Sequence, residues 1–178
     1  MVVTVQMIVM RVFTLCHQTI NTMSIKKVKP DKRYKGGRYT PINEKKYVGQ
    51  GPIIFRSGWE RKYCMYCDNT DDIVAWSSEP FAIEYYNKLT NKTHKYYPDF
   101  WIKVRKKNGT FKEYLVEIKP KSQTKVPKEP KRKTQQAVKN YKYAVETYIK
   151  NLAKARAAKL FAESRGIKFI ILTEDSLR

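Results

Sequence analysis

The feature that most constrains this fold is a short turn, Lys107-Asn108-Gly109, between two segments rich in aromatic and β-branched residues. Asn-Gly favours the left-handed backbone that tight hairpins need. The flanking segments, 94–104 and 111–118, have the composition of strands. The sequence therefore predicts an antiparallel hairpin in the middle of the chain.

The length of that turn decides which side chains share a face of the hairpin. A two-residue loop places Asp99 opposite Ile118, and Glu117 then points to the other face. A three-residue loop, with Gly109 left-handed in a bulge, places Asp99 opposite Glu117. We expect the three-residue loop, or an equivalent bulge nearer Asp99.

A first helix is predicted to open at Ser57, because Glu60 follows at the capping-box spacing. A long helix is predicted over 134–165, ending at Gly166. The other predicted elements are strand 73–77, with 81–86 either continuing it or forming a short strand of its own, strand 168–173, and a flexible, Lys- and Pro-rich loop 120–133. The resulting order, α-β-β-β-α-β, indicates an α/β fold.

One face of the long helix is predicted to be its core face. Apolar residues recur there at helical spacing. They are Val138, Tyr141, Val145, Tyr148, Leu152 and Ala155. Tyr141 and Tyr148 are accordingly expected in the core.

Charge narrows the possible partners. The chain has 37 Lys plus Arg against 16 Asp plus Glu, a net charge of +21, which favours nucleic acid as partner. A membrane surface is the rival, but no basic amphipathic helix of the membrane-lying kind is apparent.

Three cysteines do not indicate a disulfide framework. Cys64 and Cys67 have the spacing of half a zinc site, but without a second pair they are better explained as a packed helix face.

Composition also divides the chain. Residues 1–22 are apolar but interrupted, too short to span a membrane, and are interpreted as a non-core extension upstream of the true start at Met23. Residues 23–52, basic and rich in Gly, Pro and Tyr, are expected to form an extended arm. Residues 53–178 are expected to form the folded domain.

Asp99, Glu117 and Lys119 are the candidates for chemistry. Phosphodiester hydrolysis needs a hard cation, and Mg²⁺ prefers one or two carboxylate ligands. A nearby lysine stabilises the developing charge or helps to deprotonate water. The same residues could equally form surface ion pairs, but they bracket one hairpin and Glu117 lies in an apolar strand.

Several motifs together resemble a known family. They are Phe55-Arg56-Ser57, Ser57-Gly58-Trp59-Glu60, Trp76-Ser77-Ser78-Glu79, Tyr96-Tyr97-Pro98-Asp99-Phe100, Glu117-Ile118-Lys119-Pro120 and Ile171-Leu172-Thr173-Glu174. This set resembles the PD-(D/E)xK nucleases, and most closely the head completion nucleases of T-even-like tailed phages, with TnsA-type transposon nucleases as relatives. The resemblance covers about residues 38–177.

The resemblance implies a restriction-endonuclease-like core with a central mixed sheet, so that 53–178 would be the nuclease domain. It implies a deoxyribonuclease, using Mg²⁺ or Mn²⁺ and no organic cofactor, that acts on packaged double-stranded DNA. The protein would be located in the virion head or neck after assembly in the host cytoplasm. Its partners would be portal or neck proteins, with no membrane involved.

The resemblance also implies residue roles. Asp99 and Glu117 would ligate the metal together with the Ile118 carbonyl, and Lys119 would act on the attacking water. Glu60 would bind the metal through water or orient a water, although a capping-box glutamate needs no catalytic role. Glu79 is expected to be a supporting loop residue, and Gln123 is a weaker candidate for facing the phosphate.

Basic side chains near the active-site strand are expected to contact the DNA backbone, with little direct reading of bases. They are Arg56, Lys121, Lys125, Lys128, Lys131, Arg132 and Lys133. Two alternatives remain open: a non-catalytic DNA-binding connector of the phage neck, and the DNA-end-cleaving subunit of a transposase.

Overall fold

The computed structural model describes residues 36–177, so residues 1–35, including the proposed start at Met23, lie outside the described part. The strands are β1 (Gly37–Tyr39), β2 (Ile53–Phe55), β3 (Ile73–Ser78), β4 (Ile83–Asn87), β5 (Lys92–Tyr96), β6 (Phe100–Arg105), β7 (Phe111–Ile118) and β8 (Lys168–Leu172). The helices are α1 (Gly58–Asn69) and α2 (Gln135–Glu163), with 3₁₀ turns at Glu44–Lys46 and Lys121–Thr124.

The central sheet has the strand order β3-β6-β7-β8. The first three strands are antiparallel, and β8 runs parallel to β7 after the crossover through α2. With α1 before β3, the core has the predicted order α-β-β-β-α-β. The predicted α/β class with a mixed central sheet is confirmed.

The two helices cover opposite faces of this sheet. Tyr63, Cys64 and Cys67 of α1 pack in one core cluster with residues such as Val116 of β7. The neighbouring residue Leu115 points to the other face, where it packs near Ala158 and Ala162 of α2. Because successive strand residues alternate, β7 contributes to both clusters. Both cysteines are fully buried, which confirms the prediction of a packed helix face.

The turn between β6 and β7 has the predicted three residues. The Lys106 amide donates to the Thr110 carbonyl at 2.7 Å, and Gly109 has φ +78°. Phe100 consequently pairs with Val116. The predicted register is confirmed.

The predicted single strand 94–104 is wrong, because it breaks at 97–99. β5 pairs with β4 in a separate two-stranded sheet, and only β6 pairs with β7. Pro98 accounts for the break, since proline has no N–H to donate to a neighbouring strand. Asn91, at φ 54°, helps to close the β4–β5 hairpin.

The prediction of an extended arm over 23–52 is wrong for its described part. β1 pairs with β2, and Tyr39 and Tyr47 pack against the fully buried Trp76. The fully buried carboxylate of Asp68, at the end of α1, accepts hydrogen bonds from Tyr39 Oη (2.9 Å) and from the Ile42 and Asn43 amides (2.6 and 3.0 Å). This contact fixes the segment to the domain.

The long helix packs over only part of its length. Val138 is 48% exposed and Tyr141 is half-buried, so the predicted core stripe fails towards the N-terminus, whereas Tyr148 is buried as predicted. Ala158 and Ala162 form the core contact instead.

The predicted loop 120–133 is not wholly irregular, since it opens with a 3₁₀ turn. None of the helices described within residues 36–177 is long and apolar enough to cross a membrane.

Asp68→Ala should destabilise the domain, because it leaves three donors near the core without their acceptor. We expect a loss of about 2–3 kcal/mol in the free energy of unfolding, measured by urea denaturation, with early proteolysis between residues 36 and 47. Asp71→Asn, at an exposed position three residues away, is the control. Equal stability of the two variants would contradict the anchoring role of Asp68.

Candidate active site

Asp99 and Glu117 come together because of the hairpin register. Asp99 directly precedes β6, and continuing the β6–β7 pairing by one residue places it opposite Glu117. Opposed residues have Cβ atoms roughly 5 Å apart. The Ile118 amide donates to Asp99 Oδ2 at 2.6 Å, which holds this carboxylate at the end of the strand pair.

Glu117 is a buried carboxylate with one charged partner within residues 36–177. It is 6% exposed, and its Oε1 lies 2.8 Å from Lys119 Nζ. Its Oε2 is buried and has no hydrogen-bond partner within residues 36–177. A buried carboxylate oxygen without a partner costs free energy, which indicates that it is kept for a ligand.

The electrostatics of the three side chains are coupled. Burial and the nearby charge of Glu117 raise the pKa of Asp99 to about 7, against the lowering effects of the Ile118 hydrogen bond and Lys119. Burial lowers the pKa of Lys119, but Glu117, Asp99 and Glu60 outweigh it and leave that pKa above its ordinary value. Lys119 is therefore a protonated ammonium at neutral pH.

The Ile118 carbonyl faces the same site. The Lys119 amide donates towards β8, to the Leu172 carbonyl at 2.9 Å. The trans peptide directs the Ile118 carbonyl the opposite way, towards the β6 side. If the β6–β7 register is continued two residues beyond the Phe100–Val116 pair, the residue opposite is Pro98, which has no N–H to donate. The proline thus leaves the carbonyl without a ladder donor.

The oxygen atoms of Asp99, Glu117 and the Ile118 carbonyl suit a hard divalent cation. Two neighbouring carboxylates and a backbone carbonyl are oxygen ligands of the kind Mg²⁺ and Mn²⁺ take. Within residues 36–177 no three Asp, Glu, His or Cys side chains are close enough to share one metal. The structure therefore does not place Glu60 as a third direct carboxylate ligand.

Glu60 forms the predicted capping contact. Ser57 Oγ accepts from the Glu60 amide at 3.1 Å and donates to Glu60 Oε1 at 2.8 Å. Glu60 Oε2 accepts from the Arg56 amide at 2.7 Å. Glu60 is still near enough for its charge to raise the pKa of Asp99 and Lys119.

Arg56, predicted to contact DNA, forms an ion pair with Glu79. The Glu79 amide donates to the Asp99 carbonyl at 3.0 Å, so Glu79 supports the strand end that carries Asp99. Its backbone has φ 45°, a conformation that a glutamate adopts at some cost.

The basic loop after β7 divides into two parts. Lys121 is held by the C-terminal segment, since its amide donates to Glu174 Oε2 at 2.7 Å and its ammonium pairs with Asp175. The remaining predicted DNA contacts are exposed and form no salt bridge within residues 36–177. They are Lys125, Lys128, Lys131, Arg132 and Lys133.

Some residues that α2 and β5 bring to the site were not predicted from the sequence. Tyr96, Tyr148 and Lys154 line a cavity that also reaches Glu117 and Lys119. Gln123, a weaker candidate from the sequence, lines it too. The signal for Lys154 was its position one turn before the buried Ala158, which places a lysine on the packed face of the helix.

Two comparisons bear on this site. The model of the TnsA-like endonuclease N-terminal domain matches residues 70–174. The head completion nuclease of Enterobacteria phage T4 is 38% identical over 143 residues, which is 80% of this chain and 93% of that protein. The resemblance drawn from the motifs is thereby confirmed. The chain therefore belongs to the TnsA-like endonuclease family, whose members are nucleases with a restriction-endonuclease-like core.

Proposed function

We propose that this protein is a metal-dependent deoxyribonuclease whose active site is Asp99, Glu117, Lys119 and the Ile118 carbonyl. The observation that carries the proposal is the unpartnered Glu117 oxygen, buried next to Asp99 and an ammonium. A purely structural ion pair would not leave that oxygen without a hydrogen bond.

Asp99, Glu117 and the Ile118 carbonyl would hold Mg²⁺ or Mn²⁺. When bound, the cation polarises the phosphate and lowers the pKa of water. Lys119, kept protonated by its acidic neighbours, donates hydrogen bonds to the phosphate oxygens as negative charge develops on them. Glu60 orients water or supports the site through Ser57 and Arg56.

The exposed basic residues 125–133 and Arg56 hold the flanking phosphates of double-stranded DNA. The loop leaves the active-site strand directly after Lys119, so phosphates bound there neighbour the scissile one. If a DNA phosphate replaces Glu79 as the ion-pair partner of Arg56, this arginine also holds a flanking phosphate.

We further propose that the substrate is packaged phage DNA and that the protein acts in head completion at the portal or neck of the virion. The name of the phage T4 relative and its 93% coverage by this chain support this proposal. Portal or neck proteins would be its protein partners.

Asp99→Asn, Glu117→Gln and Lys119→Met should each lower cleavage of plasmid DNA by about 10²–10⁴-fold. EDTA should abolish cleavage by the unmodified protein, and Mg²⁺ or Mn²⁺ should restore it. Lys107→Met, in the exposed turn at the far end of the hairpin, is the control. Cleavage that persists in EDTA or in all three variants would refute the site.

Asp99→Asn should stabilise the metal-free protein at pH 8, because it removes one of two repelling carboxylates but keeps an acceptor for the Ile118 amide. We expect a gain of about 1–2 kcal/mol, measured by thermal unfolding in EDTA. The raised pKa of Asp99 means that this difference shrinks below about pH 7, where the carboxyl takes up a proton.

Mn²⁺ should raise the Tm of the unmodified protein but not that of Asp99→Asn. An equal rise in the variant would exclude Asp99 as a ligand.

The triple variant Lys125→Gln, Lys128→Gln, Lys131→Gln should weaken DNA binding and reduce its salt dependence. Each lost phosphate contact lowers the slope of log K against log salt by about 0.9, so we expect a decrease of about 2–3 by fluorescence anisotropy. A matched triple variant of Arg105, Lys106 and Lys107 removes the same charge at the opposite end of the hairpin. Similar slopes for both triple variants would indicate nonspecific attraction only.

A further inference from the structure

A cavity lies between the central sheet and α2, next to the active site. It is bounded by Glu117 and Lys119 of β7 and its extension, by Tyr96 of β5, by Gln123, and by Tyr148 and Lys154 of α2. Its volume is about 30 Å³, more than the roughly 10–15 Å³ that one water needs.

Two tyrosines that line this cavity have a buried hydroxyl with no hydrogen-bond partner within residues 36–177. They are Tyr96 and Tyr148, which are only 5% and 7% exposed. Buried tyrosine hydroxyls nearly always have hydrogen-bond partners. Two unpartnered hydroxyls on residues that line one cavity indicate a ligand that accepts hydrogen bonds.

Lys154 adds positive charge to the cavity. Its ammonium lies over the rings of Tyr85 and Tyr96, 5.7 and 5.3 Å from their centroids. It forms no salt bridge within residues 36–177. Burial, Lys119 and Lys150 disfavour its charge, whereas Glu117 and Asp99 favour it, and its pKa is lowered on balance. An anion in the cavity would supply the missing counter-charge.

We propose that this cavity is a phosphate site, in which Lys154, Tyr96 and Tyr148 hold a phosphate group of the DNA next to the scissile bond. Two lysines, two tyrosines and Gln123 are among its lining residues and carry groups that can donate to phosphate oxygens; the Glu117 carboxylate and apolar side chains such as Phe169 and Ile171 complete the lining. This inference rests on the proposed function, since Glu117 and Lys119 connect the cavity to the cleavage site. The group held is either an internal phosphodiester or a terminal phosphate monoester.

The first experiment needs no cleavage. Inorganic phosphate is added to the full chain in EDTA at constant ionic strength, and the Tm is measured. We expect a rise of about 2–4 °C at phosphate concentrations well above the dissociation constant. The rise should persist in Lys150→Met, an exposed lysine one turn away on α2, and should be lost in Lys154→Met and reduced in Tyr148→Phe.

Each variant is compared with itself in the absence of phosphate, so a change in basal stability does not affect the result. No rise in the unmodified protein would mean that the cavity holds only water, and an undiminished rise in Lys154→Met would exclude this lysine; either result overturns the proposal. If Asp99→Asn abolishes cleavage but keeps the phosphate-dependent rise, the two sites are separable. If Asp99→Asn still cleaves, the proposed function fails while the phosphate site stands.

The second experiment identifies the source of the phosphate. Binding to duplexes with 5′-phosphate or 5′-hydroxyl ends is measured in EDTA. A preference of about tenfold or more for the phosphorylated end, lost in Lys154→Met, identifies a terminal monoester. An equal weakening for both duplexes in Lys154→Met identifies an internal phosphodiester. Unchanged binding of both duplexes by Lys154→Met would contradict the proposal.

Discussion

The geometry of the site depends on whether the turn between β6 and β7 has two or three residues. With three residues between Lys106 and Thr110, the Asp99 and Glu117 side chains are opposed; with two, they would lie on opposite faces. The adjacent proline ends the pairing at the point where Asp99 begins. The Asp99 carboxylate then accepts the hydrogen bond of the Ile118 amide, which in a longer strand pair would be donated to the backbone of the neighbouring strand. Turn length and proline position together assemble two carboxylates and a carbonyl at the end of two strands.

Much of this arrangement could be predicted because its determinants are local. Gly109 allows the positive φ of the turn, Ser57 and Glu60 define the start of α1, and alternation along β7 assigns Glu117 to one face. The central order α-β-β-β-α-β follows from these patterns as well. The residue roles expected from the family stay proposals that the cleavage and binding experiments address.

The failures come from interactions between distant parts of the chain. Asp68 attaches residues 39–43 across more than twenty positions, so a stretch with the composition of an arm becomes part of the domain. The strand predicted over 94–104 divides at Pro98, and β5 then pairs with β4 instead of with β7. The apolar stripe of α2 does not show which part of the helix lies over the sheet. The close contact with the sheet is made by small residues such as Ala158. Local composition contains little information about such contacts.

The ion pair between Glu117 and Lys119 has a consequence for how ligands enter. At rest, the acid and the ammonium neutralise each other. A cation bound to the free Oε2 of Glu117 would weaken the hold of this acid on Lys119 and leave the ammonium without its full counter-charge, and a polyanion bound to Lys119 would do the same to Glu117. When both arrive, each takes one member of the pair, and neither charge is left without a counter-ion. Metal and nucleic acid should therefore strengthen each other's binding, which corresponds to a favourable, negative coupling free energy.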